Sequence, residues 1–403
     1  MKRLLVITVL VTVISAAIYS QELKFDGYIN SGLGFVFNDN KDEDFSLKAF
    51  GVDAEQNGYR FRLNGSYTNE AKTAGVKFRF QSQTRLDQVG YLSLPYALGW
   101  VSFLDNMFTL NGGIIEDSTW STGDFWLASD SVSDFAGLGA LLKIVPIDDL
   151  ALGFSAQTNG RAGGSGNNAL ARRTDVEFRD PVVLWDARYT IHAAYTMKDV
   201  FRAGLSYRTE AEKIGTGTSS KMYGEFRFLG VKDLTAVIAA SLDNMGEDFD
   251  TTGNIILSET FAYKIDSVNL GLNAVQFLYN RKTDYNPGMF FNLWGSYALD
   301  NIVPRLDLVY FMGGRSNLAT SAMTWHRKGF TNAAVEKADE KDVSVISVRP
   351  SVKFNLDSKT HIEIGDMINY DFGNYDGAYK DSGDANKKSR LSNVFYVDAK
   401  WSF

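Results

Sequence analysis

Cysteine is absent from all 403 residues. That removes disulfide staples, cysteine metal sites and a thiol nucleophile together, and it excludes a lipoprotein anchor, which needs a cysteine at the cleavage point. Proline is scarce at 6 residues, and histidine occurs only 3 times. Basic charge is not in surplus either: the formal net charge is −7 and the pI is near 5.2. A nucleic-acid partner, which would need a basic surface, is therefore not expected. Beyond residue 18 no stretch approaches the roughly 18 uncharged apolar residues that a membrane-spanning helix requires. What the chain does have is aromatic residues, 28 Phe, 19 Tyr and 7 Trp, together with 36 Gly. Strands favour aromatic composition.

The N-terminus reads as an export leader. Met1, Lys2 and Arg3 precede an apolar run over 4–18, followed by Tyr19, Ser20 and Gln21. A charged start, an apolar middle and small residues near a cut are the parts of a signal peptide. Cleavage is expected after Ala17 or Ser20, giving a signal peptide over 1–20 and one mature domain over 21–403.

Period two dominates that mature domain. In GYRFRLNGSYTNEAKTAGVKFRFQSQ, which begins at Gly58, one parity carries Tyr59, Phe61, Leu63, Tyr67, Val76, Phe78 and Phe80. The other carries Arg60, Arg62, Asn64, Ser66, Lys77, Arg79 and Gln81. Successive strand side chains point to opposite faces, so each parity is one face of a sheet. The pattern recurs to the last residue and predicts about 18 strands, with 16 to 20 as the range. An extra extended piece over 45–54 falls in the first long loop. Short turns carry Asp or Asn, as at Asp105-Asn106, Asp266-Ser267 and Asp300-Asn301. They alternate with long polar segments over 116–135, 158–183, 312–342 and 371–390. Short turns on one edge and long loops on the other predict an all-β, antiparallel transmembrane barrel in the outer membrane.

Closure is what makes such a sheet viable in lipid, because it leaves no unpaired backbone edge. Phe61, Leu63, Val76, Phe78 and Phe80 then meet hydrocarbon, while Arg60, Arg62, Lys77 and Arg79 line a wet interior. Asp366 stands on the lipid parity between Ile364 and Ile368, an exception that calls for a bulge or a subunit contact. Tyr59, Tyr67, Trp100, Trp185, Tyr207, Tyr297, Tyr310, Tyr370 and Trp401 fall at strand ends, as interfacial aromatic girdles do. Gly27, Gly65 and Gly224 are small outward residues that would let subunits approach.

On these residues the chain resembles the Gram-negative general porins. KFDGYINSGLGFVF resembles their opening strand, the stretch from Gly58 their second and third strands, and WVSFLDNMFTLNGG their fourth and fifth. NVFYVDAKWSF, ending at Phe403, resembles the terminal strand that barrel assembly machinery reads. The resemblance is best over the first 150 residues and the last ten. It implies a passive diffusion channel for small hydrophilic solutes or ions, embedded in outer-membrane lipid, often a homotrimer, and working without a cofactor. It also implies that the segment 116–135 folds inward as a constriction, setting Glu116, Asp117 and Asp124 opposite Arg60, Arg62, Lys77 and Arg79. The alternative is a solvated surface loop. Eighteen strands exceeds the general-porin count and matches sugar-specific and substrate-specific channels, in which Trp120, Phe125 and Trp126 would form an aromatic track. Those three would otherwise pin the loop to the wall. A barrel serving as adhesin or surface antigen through its long loops is the second alternative.

Catalytic chemistry has little support. His192, His326 and His361 show no metal-ligand spacing. His192 with nearby Asp186 is the only pair offering enzyme-like chemistry.

Overall fold

The computed structural model describes residues 22–38, 46–50, 60–83, 91–115, 137–158, 188–209, 220–243, 245, 254–280, 289–312, 344–371, 379–380, 388–389 and 391–403. The signal-peptide segment and the segment 116–135 lie outside them.

All described elements are strands. They are β1 (Glu22–Asn38), β2 (Ser46–Phe50), β3 (Arg60–Thr68), β4 (Ala74–Gln83), β5 (Tyr91–Phe103), β6 (Phe108–Ile115) and β7 (Gly137–Ile147). Next come β8 (Leu150–Thr158), β9 (Arg188–Met197), β10 (Phe201–Arg208), β11 (Lys221–Phe228), β12 (Leu234–Asp243), β13 (Asn254–Ile265) and β14 (Val268–Asn280). The chain ends with β15 (Met289–Tyr297), β16 (Ile302–Met312), β17 (Ser344–Asn355), β18 (Thr360–Asp371), β19 (Tyr379–Lys380), β20 (Lys388–Ser389) and β21 (Leu391–Ser402). Strands β1, β3 to β18 and β21 form a closed, 18-stranded antiparallel barrel. Most are 8 to 13 residues long, enough for a tilted strand to cross a bilayer.

Closure falls on β1. Its first half pairs with β3, from Glu22↔Thr68 to Asn30↔Arg60. Its other edge pairs with β21, from Tyr28↔Ser402 to Asn38↔Ser392. Beyond Asn30 the short β2 takes the place of β3, pairing Gly32↔Phe50 through Val36↔Ser46. The extra extended piece read in the first loop is thus a small strand that prolongs the wall.

The short turns owe their Asp and Asn residues to backbone sign. Leu104, Asp105, Asn106, Asp199, Asp233, Asp266 and Asp300 all have φ between 49° and 65°, a region that Asn and Asp tolerate better than other side chains. At Asp357 the side chain itself builds the turn: Oδ1 accepts from the backbone N–H of Lys359 at 2.6 Å and of Thr360 at 2.8 Å. The Lys359 bond is the main reason that this carboxyl titrates below its ordinary value. A depressed carboxylate stabilises the fold above its unfolded-state pKa, and the contribution disappears as pH falls through the folded-state value. The protection of the Lys359 and Thr360 amides, their exchange measured against the intrinsic rate at the same pH, should therefore fall in acid. Asp357→Asn should flatten that pH dependence, and Asp357→Ala should leave both amides weakly protected at every pH, as read by hydrogen–deuterium exchange corrected for the intrinsic rate.

Candidate solute pathway

The cross-strand register fixes which side chains face inward. Pairs Arg60↔Gln83, Arg62↔Gln81, Asn64↔Arg79 and Ser66↔Lys77 bring the four basic residues onto one inward patch across β3 and β4. Arg60, at the loop end of β3, is buried at 4% exposure, whereas Arg62, Lys77 and Arg79 are half-buried. The Arg62 Nε donates to Gln81 Oε1 at 2.9 Å, and the Arg79 Nε to Asn64 Oδ1 at 2.8 Å. Asn64 in turn donates through Nδ2 to Asp26. Tyrosine rings back the cations: Arg62 and Lys400 stand 5.2 and 4.5 Å from the Tyr28 centroid, and Lys77 and Arg79 stand 5.4 and 4.8 Å from that of Tyr96. Cation–π attraction and hydrogen bonds hold the charged ends against the wall.

The carboxylates of the wall are tied up in it. Asp307 takes two bonds from Arg305, each 2.7 Å, and a third from Asn292 at 3.0 Å. Glu225 accepts from the Tyr223 hydroxyl at 2.7 Å and lies 3.6 Å from Arg202. Glu363 accepts from the Tyr396 hydroxyl at 2.7 Å, and Asp398 from Asn30 at 2.6 Å. Among the described residues, inward-facing basic side chains outnumber inward carboxylates by more than two to one. The whole chain is net acidic, so its acid surplus lies off this wall. Low-dielectric walls of one sign focus the field along the lumen.

Several wall rings lie across a glycine on the neighbouring strand. Trp294 opposes Gly271 and Tyr396 opposes Gly365, both on the inward face. A Cβ placed at Gly271 would collide with the Trp294 indole. The flattened indole also carries Arg305, 4.4 Å from its centroid. Gly271→Val should lift the indole and its arginine into the lumen, lowering unitary conductance to about half. Unchanged conductance in a folded variant would show that the ring does not border the pathway.

Three expectations are corrected by this register. Trp100 opposes Gly75 and shares the inward face with Lys77, so it is not a girdle residue. Gly27 and Gly65 are not open to another subunit, because the rings of Phe403 and Phe78 cover them; Gly224 alone of the three has open space. Asp366 needs no bulge: it pairs with Phe395 in unbroken register, and Asn393 Nδ2 donates to its Oδ2 at 3.1 Å. A second outward carboxylate is Glu259, held by Gln276 Nε2 at 3.0 Å. Each outward acid is thus matched by a carboxamide on the next strand, which keeps part of its hydrogen bonding out of lipid. Tyr59, Trp185 and Asp186 lie outside the described residues, as do Glu116, Asp117, Asp124, Trp120, Phe125 and Trp126.

His192 meets Ser206, Nδ1 to Oγ at 2.8 Å. Both groups are buried, at 1% and 0% exposure, and the contact knits β9 to β10. Among the described residues no group of three His, Asp or Glu could hold a metal ion.

No family model and no curated protein matches the chain. Solved structures do. OccAB4 of Acinetobacter baumannii aligns over 95% of this chain and 99% of its own, at 8% identity and a TM-score of 0.51. OpdL of Pseudomonas aeruginosa aligns over the same shares, at 10% identity and 0.51. OprD of Pseudomonas aeruginosa aligns over 95% of each chain, at 12% identity and 0.50. At such identities the likeness is one of fold alone, here a closed, 18-stranded antiparallel barrel.

Proposed function

We propose that this protein is an outer-membrane porin, a passive diffusion channel for small hydrophilic solutes that favours anions. The observation that carries the reading is the inward face itself, where Arg62, Lys77 and Arg79 are pinned along a wall whose acids are already hydrogen-bonded. Fixed charge of one sign in a narrow, wet lumen raises the local concentration of counter-ions. Glu116, Asp117 and Asp124 on the segment 116–135 supply the opposing charge in this scheme, so that a transverse field sorts solutes at the narrowest level. Trp120, Phe125 and Trp126 on the same segment would guide a sugar in a substrate-specific variant of the reading. Assembly through the strand ending at Phe403, export through a cleaved leader and a homotrimeric state complete the proposal.

Liposome swelling tests it. Vesicles carrying the refolded protein should swell in small neutral sugars and swell faster in small organic anions than in cations of equal size. Vesicles that contain folded protein yet do not swell would contradict the channel.

A further inference from the structure

A hollow opens on the inward face at the short-turn end, across β7 to β10. Its floor is the cross-strand pair Ala151↔Ala194. Lys143 rises on one side, on β7, and Arg202 on the other, on β10 beside Thr196. Asp148 and Asp149, both exposed, close the rim from the β7–β8 turn. The register of that hairpin shifts between Ile144 and Ile147, and such an irregularity re-aims the residues beyond it. Backbone bonding fixes the rim, since the Thr196 N–H donates to the Asp149 carbonyl at 2.8 Å. The Arg202 guanidinium also pairs with Glu225 at 3.6 Å. The cavity measures about 360 Å³, within the usual range for small-molecule sites.

We infer that this hollow is a binding subsite for zwitterionic solutes of the size of an amino acid or a dipeptide. The charges decide the class. An anion without an ammonium group gains from Lys143 and Arg202 but is opposed by Asp148 and Asp149; a simple cation meets the reverse. A neutral solute gains from neither. Only a molecule with both signs satisfies both sets, its carboxylate between Lys143 and Arg202 and its ammonium group toward the two carboxylates. Two alanines, in place of the longer side chains found elsewhere on the wall, leave the floor low enough for its body. Arg202 pairs with Thr196, whose N–H bonds Asp149, so cation and acid stand on one cross-strand row, and the charged ends of an extended dipeptide, about 7 Å apart, can address both. This rests on the channel reading only for the route by which solute arrives.

Calorimetric titration of the protein, refolded in detergent, with alanyl-alanine tests the subsite whether or not the barrel conducts. Saturable binding is expected, weakened about fivefold or more by acetylating the peptide's amine or amidating its carboxylate, each of which removes one charge. R202Q and the turn variant D148N/D149N should weaken it to a similar extent; the turn variant leaves every inward-facing strand residue in place. Acetyl-alanyl-alanine binding as tightly as the parent would make this an anion site and overturn the proposal, as would the absence of saturable heat. Single-channel current recorded on the same preparation separates the two readings. Open-channel steps without peptide binding overturn the subsite and keep the channel, whereas binding without steps overturns the channel and keeps the subsite.

Discussion

Replacing Arg62 and Arg79 by glutamine should lower the anion-to-cation permeability ratio about three- to tenfold at 0.1 M salt. Both guanidinium groups sit part-exposed on one inward patch with Lys77, so their fields add within the roughly 10 Å screening length at that ionic strength. Reversal potential across a salt gradient reads the ratio directly. The effect should shrink at 1 M salt, where screening falls to about 3 Å. Arg60→Gln should do less, because that side chain is buried at 4% exposure and its charge reaches the lumen through the wall. A larger effect from Arg60 than from Arg79 would place the selective level nearer the loop end than this account has it. Each arginine also packs on a tyrosine, Arg62 on Tyr28 and Arg79 on Tyr96. Glutamine is therefore preferred to alanine, which would remove contact as well as charge.

The second large effect concerns closure. Gly27 and Phe403 exchange two backbone hydrogen bonds, 3.2 and 3.0 Å, and the Phe403 ring lies over the glycine. A Cβ at position 27 would come within 2.8 Å of the ring's Cζ and also strike the Arg62 carbonyl on β3. One methyl group would therefore press on both neighbours of the closing strand. Gly27→Val should destabilise the barrel by about 2–3 kcal/mol and slow its assembly. Urea titration of protein folded into lipid vesicles, or the shift of the folded band on heating, would show the loss. Gly224→Val is the matched control: its nearest neighbours lie 3.9 and 4.0 Å away, and its stability should barely change.

Much of this fold can be read from period two alone. The two alternating runs of the stretch that begins at Gly58 become β3 and β4. Asp and Asn mark the short turns because those turns demand positive φ. Alternation fails where both faces of a strand are apolar. On β5 the inward Tyr96 and Leu98 are buried at 7% and 6% exposure, while the outward Ala97 and Gly99 are small. That strand offers no contrast between its faces, so parity alone does not tell that Trp100 points inward. Inward Val237, Ile256, Phe290 and Val309, all at or below 3% exposure, blur the second half similarly.

What no single strand can show is register. The match of Gly271 to Trp294, of Gly27 to Phe403, and of Glu259 to Gln276 depends on which residue of the next strand stands opposite. The basic patch was legible because Arg60, Arg62, Lys77 and Arg79 share a parity on consecutive strands joined by a short turn. The hollow at Lys143 and Arg202 was not, since its members come from four strands and a turn, in two hairpins separated by a long segment between β8 and β9. The hydrogen-bonded acids of the wall were equally hidden: Asp307 and Glu225 look like free charge in the sequence and find their hydrogen-bond partners only in the folded barrel.

The central claim is that this barrel is an open, selective passage for small solutes, and planar-bilayer recording of single insertions tests it most directly. The account predicts discrete, ohmic current steps with a reversal potential on the anion side, moved toward zero by the Arg62 and Arg79 replacements. A folded barrel that inserts and yields no steps, or steps with firm cation preference, would contradict it.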